Sequence, residues 1–151
     1  MKFVIQRVLN ASVFIDDKIF SSIQEGVLLL IGIEVGDDHS RLDYYAKKIV
    51  NMRIFNYEQN KMNYSLLDTK GSILVVSQFT LLANTKKGNR PSYINAAKPQ
   101  YSKKLYRLFI QELKNYEIIV EKGRFGAHMK LDLINDGPVT ILLSDNDEKK
   151  N

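Results

Sequence analysis

A proline interrupts the last apolar run of the chain, and it restricts how that segment can fold. Residues 134–143 read INDGPVTILL, in which aliphatic residues flank Asp136, Gly137 and Pro138. Proline has no backbone N–H and is disfavoured inside a central strand. Because Asn-Asp-Gly-Pro is ordinary turn chemistry, the simplest interpretation is a tight turn between two strands. The alternative is that the glycine and the proline serve a function there.

The remaining pattern predicts an α+β fold, which some schemes would class as α/β. Helical spacing predicts one helix that ends near Met52 and a second that starts at Pro99. Alternating or continuous apolar runs predict strands over residues 3–8, 12–15, 26–35, 53–56, 72–82, 117–120, 127–134 and 139–143. We therefore expect antiparallel sheets backed by two helices on one side, in a single domain over residues 1–144 followed by a polar tail over 145–151.

Composition argues against several classes of protein. The chain has no cysteine and only two histidines, His39 and His128, so a thiolate or histidine metal site is not expected. The longest apolar run, residues 26–33, is shorter than the ~20 residues needed to cross a bilayer. The alternating N-terminus reads as a strand rather than a signal peptide. We expect a cytoplasmic protein with no membrane partner.

Positive charge is concentrated in the middle of the chain. Residues 69–111 contain no Asp or Glu. The same window contains eight cationic residues: Lys70, Lys86, Lys87, Arg90, Lys98, Lys103, Lys104 and Arg107. Such a stretch favours a polyanionic partner, of which phosphate is the commonest, although a solvated lysine-rich face would give the same pattern.

Polar side chains cluster at the end of the strand predicted over residues 72–82. Ser77 and Phe79 should point to one face, and Gln78 and Thr80 to the other. These hydroxyl and amide groups can donate hydrogen bonds to a carbonyl or an oxyanion, or they can simply satisfy a loop. Nothing places a base beside either hydroxyl, so an enzyme built on this sequence would work by positioning and backbone electrostatics.

Several short segments together resemble the D-aminoacyl-tRNA deacylase family. The main ones are residues 77–81 (SQFTL), 87–93 (KGNRPSY) and 135–140 (NDGPVT). Residues 1–8, 53–55, 61–63 and 125–127 with Met129 also fall in the order and spacing of that family. Each segment alone is a weak signal, but all of them are in register over nearly the whole chain.

The resemblance implies a barrel-like core with two helices on one side, and a homodimer that uses no metal or cofactor. It implies hydrolysis of the ester between tRNA and a D-amino acid, and clearance of mischarged glycine. The Gly137-Pro138 bond would be cis and would enter the partner subunit's pocket, where it rejects L-amino acids. The implied site residues are Ser77, Gln78, Phe79 and Thr80 as catalytic residues, with Phe125, Gly126, Ala127 and Met129 lining the pocket. Lys86, Lys87 and Arg90 are expected to bind tRNA phosphates.

Two questions stay open from the sequence. Thr80 could be a nucleophile, or it could hold the substrate while the terminal ribose 2′-hydroxyl activates water; the lack of an evident base favours the second role. The chain could also be a non-catalytic RNA-binding module that stacks bases on Tyr93, Tyr101 and Tyr106. A structural subunit, in which Gly-Pro is only a turn, is the third interpretation.

Overall fold

The computed structural model describes residues 1–56 and 61–145. In chain order, the strands are β1 (Lys2–Ile15), β2 (Lys18–Ile23), β3 (Gly26–Gly32), β4 (Phe55–Asn56), β5 (Met62–Tyr64), β6 (Ser72–Ser77), β7 (Ile119–Lys122) and β8 (Lys130–Ser144). The α-helices are α1 (Leu42–Val50), the short α2 (Leu66–Thr69) and α3 (Pro99–Leu113). None of these helices is long and apolar enough to cross a membrane.

The long strand β1 organises the main sheet, because three other strands pair with it. The sheet order is β2-β1-β3-β6-β7, and β8 pairs with β1 as well. The first half of β1 lies between β3 and the second half of β8, and its second half lies between β2 and the first half of β8. The Ser21 hydroxyl of β2 also donates to the Lys122 carbonyl of β7 at 2.9 Å, which draws the two ends of the sheet together.

Both faces of this sheet are covered, and each has its own apolar cluster. One cluster joins the sheet to α1 and α3, and Phe3 lies in it against Tyr45 and Phe109, with ring centroids 4.9 and 5.5 Å apart. The other cluster fills the opposite face and includes Val13 and Leu74. Strands β3 and β6 are buried along almost their full length, as expected of central strands covered on both sides.

The predicted α+β class and the barrel-like core with helices on one side are confirmed, with one difference in strand direction. The sheet is mixed rather than antiparallel, because β3 runs parallel to β6 and β6 runs parallel to β7. Parallel neighbours need a long crossover connection. The segment containing α1 and α2 supplies the first crossover, and the segment containing α3 supplies the second.

Several predicted strand boundaries were wrong, in two cases because a long strand bends without ending. The strands expected over residues 3–8 and 12–15 are one strand, β1, and those expected over 127–134 and 139–143 are one strand, β8. Conversely, the run over 72–82 leaves the sheet after Ser77. The predicted tail over 146–151 and part of the loop before Asn63 lie outside the described residues. Asp145, assigned to that tail, accepts a hydrogen bond from the Met1 ammonium at 2.7 Å.

Candidate active site

Strand β6 ends at the polar cluster that the sequence singles out. The Gln78 N–H donates to the Ile31 carbonyl of β3 at 2.8 Å, and residues 79–82 then form a 3₁₀ turn. Gly32 makes room for this turn, since a Cβ there would lie 3.1 Å from the Gln78 carbonyl oxygen and 3.2 Å from the Leu81 Cβ. The strand alternation expected for residues 77–80 is therefore wrong beyond Ser77, because the turn replaces the strand.

The turn brings the polar groups together at the surface. The Gln78 amide donates to the Thr80 hydroxyl, and Thr80 is exposed. Within the described ranges, neither a histidine nor a carboxylate is hydrogen-bonded to Thr80. The hydroxyl accepts from the amide, so its own proton remains free to be donated to a substrate oxygen. Phe79 is 58% exposed and meets the Tyr93 ring edge-on, with centroids 5.0 Å apart.

The segment predicted to line the pocket lies beside the end of β6. The buried Gly123 N–H donates to the Val75 carbonyl at 2.8 Å. A Cβ on Gly123 would lie 2.8 Å from the Met129 sulfur, so Met129 covers this glycine closely. Phe125 packs against the Tyr106 ring with centroids 5.7 Å apart. Phe125 and Met129 are thus neighbours of the strand that carries Ser77.

Two expected residues of this segment, Gly126 and Ala127, form its turn. Gly126 is exposed with a φ of 78°, and the Ala127 N–H donates to the Arg124 carbonyl at 3.2 Å. A positive φ is inexpensive only for glycine, so Gly126 sets the direction of the turn. The turn exposes backbone rather than a large side chain at this point.

Tyr106 lies in the core beneath this segment and is too buried to stack on a base. It is 2% exposed, and its hydroxyl lies 2.8 Å from the Val75 carbonyl oxygen and 3.2 Å from that of Gly123. Burial raises the pKa of Tyr106, so the hydroxyl keeps its proton and acts as a donor. The role of Tyr106 as a base-stacking platform, considered from the sequence, is therefore wrong. Tyr93 and Tyr101 remain exposed.

The Gly-Pro segment does not turn the chain round, so the ordinary-turn interpretation is wrong. Residues 136–139 bulge out of β8 instead. Gln6 of β1 pairs with Thr140, and Val8 pairs with Asn135, so one residue of β1 faces four of β8. The peptide bond between Gly137 and Pro138 is cis, and both residues are exposed. We call residues 136–139 the bulge.

Arg7 is the β1 residue that faces the bulge, and it is almost fully buried at 6% exposure. Its guanidinium donates to the Asp136 carbonyl at 3.1 Å and lies 3.1 Å from the Asp136 carboxylate. It also donates to the Ile54 carbonyl at 2.7 Å and to the Asn56 side chain at 3.2 Å. Sequence reasoning missed Arg7. The available signal was an arginine at an inward position of an alternating strand, where a buried cation needs several acceptors.

Asn135 braces the bulge from its N-terminal side. Its side-chain oxygen accepts from the Val139 N–H at 3.0 Å, and its amide donates to the Thr140 hydroxyl at 2.9 Å. The side chain thereby spans the base of the bulge. Gln6 also donates to the Thr140 hydroxyl, at a longer 3.3 Å.

Within one chain, the bulge and the polar turn after β6 do not meet. Arg7 is level with Val27 of β3 and Ile73 of β6, four residues before Ser77. Three strand spacings of about 4.8 Å and four residues of about 3.3 Å separate the two points, on the order of 15–20 Å. The structure therefore does not bring Gly137 and Pro138 together with Thr80 of the same chain.

Lys86, Lys87 and Arg90 lie on an exposed loop that follows the polar turn. An isolated bridge between Asn84 and Ser92 closes the base of this loop. The Asn84 side chain accepts from the Lys86 N–H at 3.0 Å. In the part of the chain that the structure describes, none of the three cations has an ion-pair partner.

A cavity of about 430 Å³ near the N-terminus is a different kind of site. Its lining includes Glu34, Asp37 and Asp145, and the Met1 ammonium lies 2.7 Å from the carboxylates of Asp37 and Asp145. No residue of the polar turn or of the bulge lines it. A lining rich in carboxylates repels phosphate, so this cavity does not fit an RNA substrate. Across residues 1–56 and 61–145, no group of three His, Asp or Glu is arranged to hold a metal ion.

Comparison with known proteins identifies the class. A family model described as D-Tyr-tRNA(Tyr) deacylase matches residues 4–144. A D-aminoacyl-tRNA deacylase from Thermosipho africanus (strain TCF52B) is 51% identical over 150 residues, which span 99% of each chain. These two findings define a hydrolase of the deacylase class.

Two solved structures have the same fold. A c-Myc DNA unwinding element binding protein superposes with a TM-score of 0.90 at 38% identity, over 96% of this chain and 99% of its own. A probable eukaryotic D-amino acid tRNA deacylase superposes with a TM-score of 0.84 at 17% identity, over 94% and 97%, a likeness that shows the fold alone. The chain belongs to the D-Tyr-tRNA(Tyr) deacylase family, and the resemblance seen in the sequence is confirmed.

The bracing of the bulge by Asn135 gives a first prediction. Asn135→Ala removes two hydrogen bonds and should lower the free energy of unfolding by about 1–2 kcal/mol, measured by urea denaturation. Asn135→Asp should lose less than half of that, because it still accepts from the Val139 N–H and the Thr140 hydroxyl can donate to it. Gln6→Ala is the control, since it removes a single, longer bond to Thr140 and no bond to the backbone of the bulge. Equal losses for Asn135→Ala and Gln6→Ala would contradict the bracing role.

Proposed function

We propose that the chain hydrolyses the ester bond between tRNA and a D-amino acid and spares the L-form. Support comes from the family match together with the geometry of two exposed polar elements. The turn containing Gln78 and Thr80 offers donors to the ester. The bulge offers exposed backbone that is fixed from inside by Arg7. That rigid, exposed backbone is the observation that carries the proposal.

Selection by backbone suits an enzyme that accepts any D-side chain. Contacts to the side chain would favour particular amino acids, whereas an obstacle in the direction of an L-side chain excludes the L-form generally. A backbone carbonyl suits that task because no side-chain mutation removes it. We assign the obstacle to Gly137 and Pro138. Glycyl-tRNA would pass such an obstacle, since glycine has no Cβ.

A homodimer would complete this site. The bulge is on the order of 15–20 Å from Ser77 of the same chain, as counted from strand spacing and register. A second copy that inserts its bulge beside the first chain's Ser77 and Thr80 would bring the two elements together. We therefore propose a cytoplasmic homodimer in which each pocket uses residues of both subunits.

Thr80 in this proposal orients the substrate and does not attack it. A threonine nucleophile needs a positioned base. The only side-chain partner of Thr80 among the described residues is the Gln78 amide, which donates and cannot accept a proton. The terminal ribose 2′-hydroxyl of the tRNA would then activate water, and Ser77, Gln78 and Phe79 would shape the pocket around the ester.

Lys86, Lys87 and Arg90 in the exposed loop would hold the acceptor end by its phosphates. The loop follows the polar turn directly, and its base is fixed by the Asn84–Ser92 bridge. Free cations near the reacting ester raise affinity for any tRNA without reading its sequence.

The direct test is deacylation of one tRNA charged with the D-form or the L-form of the same amino acid. The wild type should release the D-amino acid and leave the L-ester intact. Gly137→Ala should lower the ratio of kcat/KM for D over L at least about tenfold, because an alanine Cβ would lie 2.8 Å from the Val139 side chain and 3.0 Å from the Arg7 guanidinium, at a φ of 127°.

Gly36→Ala is the matched control for this test. Its φ is 93° but no atom lies within 4 Å of the added Cβ, and the ratio should stay at the wild-type value. A protein that binds charged tRNA and protects both esters would be a binding module, which would refute the enzymatic proposal.

A separate prediction concerns Thr80. Thr80→Ser should keep most of the activity, and Thr80→Ala should lower kcat by about tenfold, as expected for one lost hydrogen bond. Replacing the terminal 2′-hydroxyl of the tRNA by hydrogen should lower kcat further than Thr80→Ala does. A covalent aminoacyl adduct on Thr80, detected by mass spectrometry, would show instead that Thr80 is the nucleophile.

The loop cations can be tested by salt dependence. Changing Lys86, Lys87 and Arg90 together to Gln should weaken binding of all uncharged tRNAs alike and reduce the slope of log affinity against log salt by about 0.7–0.9 per lost contact. Lys18, Lys47 and Lys130, three exposed lysines outside residues 69–111, form a control triple with the same loss of charge. An equal slope in both triple variants would show that the loop is not a phosphate site.

A further inference from the structure

The outer face of α3 carries a second group of cations that the proposed site does not use. Lys103, Lys104 and Arg107 are exposed there. They line a shallow cleft of about 300 Å³ together with Gln100, Leu108 and Gln111. The opposite face of the helix is buried in the core through Leu105, Phe109 and Leu113. We call the six cleft residues the α3 basic face.

The charges on this face have no acidic residue within one turn of the helix, at i±3 or i±4. Arg107 lies one turn after Lys103, and such a like-charged pair at i and i+4 destabilises a helix by about 0.2–0.5 kcal/mol. The first acidic residue of α3 is Glu112, near its end. Among the described residues, none of the three cations forms an ion pair. The arrangement leaves a local repulsion that a bound polyanion would relieve.

The lysines of α1 are arranged differently. Asp43 lies one turn before Lys47, in the order that favours an opposite-charge pair. Lys48 donates to the Tyr44 hydroxyl at 3.0 Å. The positive charges of α1 therefore have partners on their own helix, whereas those of α3 have none within one turn. This difference argues against a merely solvated surface on α3.

The α3 basic face also begins at the same end of the sheet as the candidate active site. The Ala97 N–H, two residues before α3, donates to the Ile33 carbonyl at 3.0 Å. The Gln78 N–H donates to the Ile31 carbonyl, two residues earlier on the same stretch. A nucleic acid whose 3′ end lies beside Thr80 can therefore extend along the start of α3.

We propose that the α3 basic face binds phosphates of the double-helical stem of the tRNA, beyond the 3′ end held by the loop cations. Cations one helical turn, about 5.4 Å, apart suit a row of phosphates, and the amides of Gln100 and Gln111 can donate to phosphate or ribose oxygens. Leu108, 37% exposed, is the only large apolar residue of the face, which fits a nucleic acid better than an acidic protein. This inference rests on the proposed function only in taking tRNA as the ligand.

The test uses the full chain and two uncharged RNA probes, so that it does not depend on catalysis. One probe is a hairpin with an acceptor stem and a 3′ overhang, and the other is the single-stranded 3′ segment alone. Lys103, Lys104 and Arg107 are changed together to Gln, and the control triple at Lys18, Lys47 and Lys130 loses the same charge. Affinity is measured by fluorescence anisotropy from low to moderate salt, after thermal unfolding has shown that both variants fold.

For the hairpin, the α3 variant should bind about tenfold more weakly than the control triple, with a salt slope reduced by about 2–3 for three lost contacts. For the single strand, the two variants should bind alike. At saturating D-aminoacyl-tRNA, kcat of the α3 variant should equal that of the wild type, while KM rises.

Equal hairpin binding by the α3 variant and the control triple would overturn the proposal and leave the face to an acidic protein partner. An equal loss on both probes would overturn the assignment to the stem. If the α3 variant binds the hairpin more weakly than the control triple does, but the wild type shows no deacylation, the proposed function is refuted and this inference stands. The two failures are therefore distinguishable.

Discussion

The buried guanidinium of Arg7 is the interaction on which the candidate specificity element depends. A guanidinium without acceptors in the interior would be very unfavourable, so its surroundings must supply them. Here the acceptors come from the bulge and from the segment around Ile54 and Asn56. The same group that needs these partners also fixes the Asp136 carbonyl, one residue before Gly137. Arg7 thereby holds the four-residue bulge in one position from the buried side of the sheet.

The central place of β1 explains how one strand can serve both the core and the site. Some of its inward residues pack in the core, as Phe3 does against Tyr45 and Phe109. Arg7, also inward, instead holds the bulge by a hydrogen bond to the Asp136 carbonyl. Strand β1 pairs with both halves of β8 and so fixes its register, because a slip of one residue would move every β8 side chain to the other face. Rigid backbone, rather than a chosen side chain, is what an obstacle to L-amino acids requires.

Much of the architecture was predictable from the sequence, because buried strands and amphipathic helices leave strong periodic signals. The start of α3 at Pro99 and the buried run of β3 are examples. The parallel pairing of β6 was not predictable, since pairing depends on where the crossovers pack. Arg7 was missed for the same reason, because its acceptors at Ile54 and Asp136 are distant in sequence. Ser77 and Thr80 were singled out as polar residues at the end of a predicted strand, and the family resemblance then gave them a role that stays a prediction. The turn that replaces the expected strand alternation was not predictable, because it depends on Gly32 in a neighbouring strand.

The distribution of charge explains how a protein with few candidate catalytic groups could act on a large polyanion. In the proposed mechanism, Thr80 and Gln78 would supply donors but no base, so the rate would come from where the ester and the ribose hydroxyl are held. Holding a tRNA in place requires contacts far from the ester, and remote binding energy can be used to position the reacting atoms. In the proposed complex, the cations on the loop after Thr80 and on α3 would provide such contacts. The carboxylates around Met1 occupy a separate cavity, where their charge repels phosphate and favours placing the RNA along the basic surfaces.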